Sequence, residues 1–241
     1  MTRAAGTGAG EQRPRTHLLT GAGSGIGAEL ARSLHARGDH LVLLARSQAR
    51  ATELADTFPG AFTVVADLAH PDSLELPDLD PLDSVLHVAG VVDLAPVAEQ
   101  TTAQLREHVD VNLVAPAVLT RLTLPQVRAA RGTYVFVNSS AGLDAKPAWS
   151  AYAASKFGLR GFADSLRGEE VEHGVRVTTV FPSRTATPMQ EKVHEQEGRT
   201  YDPAQWIDPG VVAETVLHVL DLPPGATIPE VTLRPVKPFG G

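Results

Sequence analysis

Residues Thr20–Gly27 read TGAGSGIG and carry the strongest fold signal in the sequence. This stretch follows the apolar run THLLT at 16–20 and leads into Ile26, Leu30 and Leu34, which recur every four residues as an amphipathic helix requires. Glycines let the backbone turn tightly and approach a pyrophosphate, and the helix N-terminus offers it unpaired N–H donors. A strand, a glycine-rich turn and a helix in this order therefore predict a dinucleotide-binding turn within an α/β fold.

An identical TGAG occurs at Thr7–Gly10, but no strand precedes it and no helical apolar pattern follows it. We therefore expect it to be flexible and to bind no phosphate. Residues 1–15 are small, polar and interrupted by proline, and they are predicted to be a flexible N-terminal leader. No repeat or low-complexity linker divides the remainder, so we expect residues 16–241 to form a single dinucleotide-binding domain.

Apolar runs and helical patterns alternate along the rest of the chain, which predicts a Rossmann-type, doubly wound, parallel sheet of about seven strands with helices on both faces. The segment 68–83 carries three prolines, so its helix should be very short or distorted. Its carboxylates, Asp78, Asp80 and Asp83, are expected in a solvated loop. The predicted strands after the first are 40–46, 61–67, 84–90, 133–139, 175–181 and a weak one at 227–233, and the predicted later helices lie near 101–130, 150–172 and 209–221.

Composition limits the possible partners. The net charge of −7 and the lack of a dense basic tract argue against binding to nucleic acid or an anionic membrane. No apolar run approaches the roughly 18 residues that span a bilayer, and a cytoplasmic location is expected. The chain has no cysteine, which excludes disulfides and thiolate chemistry, and its histidines lack metal-ligand spacing, so no metal site is predicted.

The end of the second predicted strand indicates which dinucleotide is bound. A carboxylate at this point usually binds the adenosine 2′-hydroxyl of NAD, but here the sequence is Leu44-Ala45-Arg46-Ser47. Arg46 instead suits a 2′-phosphate, through charge-assisted hydrogen bonds worth roughly 1.5–3 kcal/mol each. The sequence therefore predicts NADP(H) in preference to NAD(H).

Tyr152 and Lys156 lie four residues apart in a predicted helix, and so on one face of it. A free tyrosine, with a pKa near 10, exchanges protons poorly at neutral pH. A neighbouring ammonium group, and a cationic nicotinamide ring, favour the phenolate and lower that pKa. The pair is therefore a candidate acid/base centre.

Together with the phosphate turn, NLVAP at 112–116, the serines at 139 and 140 and PSRTATPM at 182–189, this pair resembles the compact, single-domain branch of the short-chain dehydrogenase/reductase family. The resemblance covers roughly residues 15–233. It implies four catalytic residues, with Tyr152 as acid/base, Lys156 binding the nicotinamide ribose and lowering the tyrosine pKa, Ser139 bonding the substrate oxygen, and Asn112 holding a water that links Lys156 to solvent. The cofactor-binding residues it implies, together with Arg46, are Gly21, Ser24, Ile26, Gly27, Asp67, Leu68, Ala89, Gly90, Tyr152, Lys156, Pro182, Thr185 and Thr187.

Three positions are ambiguous in, or depart from, the family pattern. Ser139 and Ser140 are adjacent, and the family's usual spacing of thirteen residues before the tyrosine selects Ser139. The family commonly has asparagine where this chain has His87, which we interpret as a structural residue that fills the asparagine's place. It also commonly has glycine where this chain has Ser183, which leaves the local turn geometry open.

The expected function is an NADP(H)-dependent oxidoreductase that interconverts a carbonyl and a secondary alcohol. Two alternatives remain: a β-ketoacyl thioester reductase, which would use a basic docking face, and a non-catalytic NADPH-binding or sensing protein. The segment 189–206 is expected to be a mobile lid. By resemblance a homodimer or homotetramer is expected, built on the helices near 101–130 and 150–172. The residues suggested for an apolar substrate pocket are Leu143, Trp149, Met189 and Trp206, and those for a docking face are Arg121, Arg128 and Arg131.

Overall fold

The computed structural model describes residues 13–236, and the first TGAG segment lies outside them. A seven-stranded, wholly parallel sheet forms the centre, in the strand order β3-β2-β1-β4-β5-β6-β7. The predicted parallel α/β sheet is thus confirmed. The strands are β1 (Thr16–Thr20), β2 (His40–Ala45), β3 (Phe62–Val65), β4 (Ser84–His87), β5 (Thr133–Val137), β6 (Arg176–Pro182) and β7 (Glu230–Leu233).

Helices cover both faces of this sheet, with one buried apolar cluster on each side. The strands are apolar almost throughout because a parallel sheet is buried on both faces. The helices are α1 (Gly25–Ala36), α2 (Gln48–Thr57), α3 (Thr102–Val109), α4 (Ala115–Ala130), α5 (Ser150–Glu170), α6 (Pro188–Gln196) and α7 (Pro209–Leu220).

The connection between β3 and β4 contains a single 3₁₀ turn, Pro71–Ser73, as its prolines predicted. One expectation about this segment was wrong. Asp83 is not a solvated loop residue, because its carboxylate accepts hydrogen bonds from the Arg13 guanidinium and from the backbone N–H of Thr16. It thereby ties the start of β1 to the start of β4.

The same contacts bear on the predicted leader. Arg13 binds Asp83, and Arg15 binds Asp221 at 2.7 Å. Arg13 is therefore attached to the start of β4 and Arg15 to the end of α7, while residues 1–12 lie outside the described part of the chain.

Four strands, β2 to β5, end one to three residues before their predicted limits, at the edge of the sheet where the loops after the strands lie. Beyond His87, the backbone N–H groups of Val88 and Ala89 bond to the Thr20 hydroxyl rather than to a neighbouring strand. β5 likewise ends at Val137, two residues before the predicted boundary at Ser139. The chain therefore leaves the sheet where the predicted site residues begin.

Candidate active site

A cavity of about 640 Å³ opens along the carboxyl ends of the strands. This is where ligands bind in doubly wound α/β folds. The structure brings nearly all of the predicted site residues into its wall. Those that line it are Gly21, Ser24, Ile26, Gly27, Arg46, Asp67, Leu68, Ala89, Gly90, Ser139, Tyr152, Lys156, Pro182, Thr185 and Thr187.

The turn between β1 and α1 is shaped by its glycines. Gly21 and Gly25 have φ values of 80° and 53°, in the left-handed region that favours glycine. A Cβ on Gly21 would lie 2.9 Å from the backbone nitrogen of Ala89, and one on Gly27 would lie 2.1 Å from the Gly21 carbonyl oxygen. Helix α1 then begins after Ser24, whose side chain makes no capping bond. The turn is thus closely packed against the loop after β4 and lines the cavity at a helix N-terminus, where a pyrophosphate fits.

Thr20 has a structural role at the site that was not predicted from the sequence. Its hydroxyl oxygen accepts the backbone N–H groups of Val88 at 3.0 Å and Ala89 at 3.1 Å. This buried side chain therefore fixes the loop after β4 against the glycine turn. Its position directly before the first glycine was the available signal.

Two predicted residues mark the far end of the cavity, after β2 and β3. Arg46 is exposed, and the Asp67 carboxylate accepts the backbone N–H of Ala69 at 3.0 Å. A further arginine, Arg50, also lines this end and was not predicted. Its guanidinium donates to the Gly23 carbonyl oxygen at 3.4 Å, so it reaches from α2 across to the glycine turn.

At the other end of the cavity, Tyr152 and Lys156 lie in the first two turns of α5. Both side chains are buried, and the Lys156 Nζ lies 5.7 Å from the Tyr152 ring centroid. The ammonium group donates to the Val137 carbonyl oxygen at 3.2 Å. Ser139 follows β5, and its Oγ accepts the backbone N–H of Ala141 at 3.1 Å.

Burial dominates the titration of this pair. It raises the pKa of the Tyr152 phenol, and a hydrogen bond with the Ser139 hydroxyl acts in the opposite direction. Burial also lowers the pKa of Lys156 to about 8. The phenol is therefore protonated at neutral pH, beside a lysine that is still mostly a cation. Of the two adjacent serines, Ser139 is the one whose hydroxyl hydrogen-bonds the phenol.

Asn112 lies behind the cavity wall, in a π-helical turn, Asp110–Val114, that interrupts the predicted long helix between α3 and α4. Such turns place side chains that a regular helix would rotate away, and they are frequent at functional sites. The Asn112 amide bonds both backbone groups of Val91, at 2.8 and 3.0 Å, and donates to the Ser155 hydroxyl at 3.0 Å. Its two N–H donors are thus both used, one by the loop after β4 and the other by Ser155 of α5.

His87 is part of the packing between the sheet and α4. Its ring stacks on Phe136 with 4.7 Å between centroids, and its Nε2 lies 3.1 Å from the Thr120 hydroxyl. Complete burial lowers the pKa of His87 to about 3. These contacts support the structural interpretation, because the ring stays neutral at physiological pH.

The substrate end of the cavity differs in part from expectation. Trp149 and Met189 line it, but Leu143 and Trp206 do not. Trp206 instead packs against the buried His194 of α6, at 5.0 Å between ring centroids. Its direction is set by this tertiary packing, which the local sequence does not encode. The additional lining residues here are Val92, Asp144, Lys146, Arg184, Gln190 and Val193.

The expected lid contains helix α6, which is docked on the loop after β4. Lys192 donates to the Val92 carbonyl oxygen at 3.1 Å and pairs with the Asp93 carboxylate at 3.2 Å. Gln196 also donates to Asp93 and accepts the backbone N–H of Leu94 at 3.1 Å. Hydrogen bonds, led by that from Gln104, lower the pKa of Asp93. Asp93 is therefore ionised throughout the neutral range and holds α6 over the cavity.

Of the three arginines suggested for a docking face, Arg128 is instead part of the packing between helices. Arg128 makes a bidentate ion pair with the buried Glu170, at 2.8 and 2.7 Å, and so supports packing between α4 and α5.

Within residues 13–236, no group of three histidine or acidic side chains is arranged to hold a metal ion. No helix of that range has both the length and the apolar composition needed to cross a bilayer.

The sheet and the cavity at its carboxyl edge define a Rossmann-type α/β protein. Residues 15–198 match the model of the short chain dehydrogenase family. The chain is 31% identical over 225 residues to dehydrogenase/reductase SDR family member 7B of Bos taurus, covering 84% of this chain and 69% of that protein. The chain belongs to the short-chain dehydrogenase/reductase family of oxidoreductases.

Solved structures agree with this assignment. A short-chain dehydrogenase of Escherichia coli CFT073, complexed with NADPH, is 28% identical with a TM-score of 0.77, and the match covers 90% of this chain and 95% of that one. The alcohol dehydrogenase of Thermococcus sibiricus, complexed with 5-hydroxy-NADP, is 24% identical with a TM-score of 0.81, over 94% and 99% of the two chains. The second likeness supports the fold alone.

Proposed function

We propose that the protein is an NADP(H)-dependent oxidoreductase that interconverts a carbonyl and a secondary alcohol, with Tyr152 as acid/base. One observation carries the proposal. A single cavity joins the Tyr152, Lys156 and Ser139 side chains at one end to the glycine turn and Arg46 at the other. A dinucleotide that spans these ends would present its nicotinamide to the tyrosine and its adenosine to the arginine.

The cofactor would be held by this chain as follows. The backbone N–H groups of the glycine turn would bind its pyrophosphate, Asp67 its adenine, and Arg46 its 2′-phosphate. Bound NADP(H) would supply the hydride donor or acceptor and, when oxidised, a positive charge. The complex of the Escherichia coli relative with NADPH supports this choice of cofactor. Arg46 supports it further, because a guanidinium recognises phosphate through charge-assisted hydrogen bonds.

Tyr152 would exchange its phenolic proton with the substrate oxygen. In reduction, the proton moves from Tyr152 Oη to the carbonyl oxygen as that oxygen becomes an alkoxide; in oxidation, the phenolate takes it back. Burial alone makes the phenol too weak an acid for this, so a nearby positive charge is required. Lys156 supplies that charge, with its Nζ 5.7 Å from the phenol ring.

Ser139 would position the substrate oxygen. Its Oγ accepts the backbone N–H of Ala141, and its hydroxyl, which bonds the Tyr152 phenol here, would donate its proton to the substrate oxygen once substrate is bound. Asn112 holds the loop after β4 through its amide. Since both N–H groups of Asn112 are used, a water that relays protons to Lys156 would bond to an oxygen of this residue.

The experiment is a panel of ketones, aldehydes and secondary alcohols followed by NADPH absorbance. Arg46→Gln should raise the KM for NADPH but leave the KM for NADH unchanged. Equal effects on both would overturn the NADP(H) preference. Tight NADPH binding with no turnover across the panel would favour the non-catalytic sensing alternative. Arg128, which is committed to Glu170, gives no support to the thioester reductase alternative.

Three further expectations remain proposals. We propose that residues 16–241 act as one dinucleotide-binding oxidoreductase domain, that the protein assembles as a homodimer or homotetramer, and that it is cytoplasmic. Sedimentation equilibrium separates the two assembly states. Cell fractionation tests the location, and limited proteolysis tests the single domain.

A further inference from the structure

We propose that Arg50 is a second specificity-determining residue for the 2′-phosphate, and that Glu53 weakens this binding by competing for the Arg50 guanidinium. The inference rests on the proposed NADP(H) preference and deepens it. It concerns Arg50 and Glu53, two side chains of α2 to which the proposed function assigns no role.

The first observation is the reach of Arg50. It lies in the first turn of α2, yet its Nη2 donates to the Gly23 carbonyl oxygen in the turn between β1 and α1. A Cβ built on Gly23 would lie 2.1 Å from that nitrogen. Gly23 has no positive φ, unlike Gly21 and Gly25. A side chain at position 23 would therefore displace the Arg50 guanidinium from this contact, although the backbone conformation there needs no glycine.

The second observation is the position of the two arginines. Arg46 and Arg50 flank the N-cap residue of α2, Ser47, and both line the adenosine end of the cavity. Arg46 forms no ion pair with any of residues 13–236, so its charge is uncompensated. Asp67, the carboxylate that also lines this end, is bonded to the backbone N–H of Ala69. Among residues 13–236, two guanidinium groups thus line this end of the cavity and Asp67 is the one carboxylate that lines it with them; Glu53, the partner of Arg50, does not line the cavity.

The third observation is the partner of Arg50. The Arg50 guanidinium also forms an i,i+3 ion pair with Glu53 on the same helix. The side chains are 41% and 57% exposed, so solvent screens the pair and it contributes little to stability. A phosphate dianion offers the guanidinium more charge and more acceptor oxygens than a carboxylate does. Arg50 can therefore leave Glu53 and bind the phosphate instead. Breaking the ion pair makes phosphate binding less favourable, and removal of Glu53 would abolish that cost.

The test uses binding, not turnover. Isothermal titration calorimetry measures the affinity of the purified protein for 2′,5′-ADP, which carries the 2′-phosphate, and for 5′-ADP, which lacks it. Arg50→Gln should weaken 2′,5′-ADP binding about tenfold and leave 5′-ADP binding within about twofold. Glu53→Gln should tighten 2′,5′-ADP binding about threefold with no effect on 5′-ADP.

A matched control is available on α1. Arg32 and Glu29 form another exposed i,i+3 ion pair, and neither residue lines the cavity. Arg32→Gln and Glu29→Gln should leave both affinities unchanged. Arg50→Lys retains a positive charge, so it should bind 2′,5′-ADP more tightly than Arg50→Gln. It also keeps the test valid if the glutamine variant does not fold.

The failures of the two proposals are distinct. If Arg46→Gln weakens 2′,5′-ADP selectively while Arg50→Gln and Glu53→Gln change nothing, the role of Arg50 is refuted and the NADP(H) preference stands. If the native protein binds 5′-ADP as tightly as 2′,5′-ADP, the NADP(H) preference itself is refuted. Equal losses for both nucleotides in Arg50→Gln would assign Arg50 to support of the glycine turn and would overturn its role in specificity.

Discussion

His87→Asn should remove a pH dependence from the free energy of unfolding. The buried ring stacks on Phe136 and has a pKa of about 3, and its Nδ1 has no hydrogen-bond partner among residues 13–236. In the unfolded chain the histidine pKa is about 6.5. Between these values the unfolded state binds a proton that the folded state does not, so the folded state loses stability as the pH falls.

The magnitude follows from linkage. From pH 8 to pH 5 the unfolded histidine gains nearly a full proton, which lowers the free energy of unfolding by about 2 kcal/mol. For a urea slope of about 3 kcal/mol/M, the midpoint falls by roughly 0.7 M. Urea titrations of the native protein and of His87→Asn at both pH values isolate this term, because other titrating groups are common to both proteins.

Asparagine cannot titrate, and its amide can still bond the Thr120 hydroxyl. Some absolute stability is lost with the ring stacking, so the comparison is between the two pH-dependent changes. The variant should lose about 2 kcal/mol less than the native protein over this range. Equal losses in both proteins would refute the assignment of a buried, neutral His87.

Three other predictions concern the site. Gly27→Ala should destabilise the protein by about 3 kcal/mol or more and abolish 5′-ADP binding in calorimetry, because its Cβ meets the Gly21 carbonyl; Gly161→Ala, where a Cβ has open space, should not. Lys156→Arg, if it still supports turnover, should move the alkaline limb of the pH–kcat/KM profile upward from about 8, because a guanidinium stays charged; an unmoved limb contradicts this. Asp93→Ala should raise the substrate KM about fivefold in steady-state assays but leave 2′,5′-ADP affinity unchanged, because it frees α6; an unchanged KM contradicts this.

The sequence correctly predicted those elements whose pattern lies within their own residues. The strand, glycine turn and helix at 16–34 are encoded by neighbouring residues, as is the short turn at Pro71–Ser73. The spacing of Tyr152 and Lys156 also fixes their shared helix face. These features need no knowledge of distant parts of the chain.

The features that were missed depend on contacts between elements. The π-helical turn at Asp110–Val114 is stabilised by the hydrogen bonds between the Asn112 amide and the backbone of Val91, in the loop after β4. Arg50 enters the site only because its side chain crosses to Gly23. Trp206 was wrongly predicted to line the pocket because its packing on His194 is determined by the docking of α6.

The acid/base role of Tyr152 can be measured with Tyr152→Phe, because this substitution removes the phenolic proton and keeps the ring. Carbonyl-dependent NADPH oxidation should fall by about 10³-fold, while 2′,5′-ADP affinity stays within about twofold and the thermal midpoint is little changed. The native protein serves as the reference on each carbonyl that it reduces. A variant that reduces the same carbonyl at a rate close to that of the native protein would contradict the assignment of Tyr152 as the acid/base.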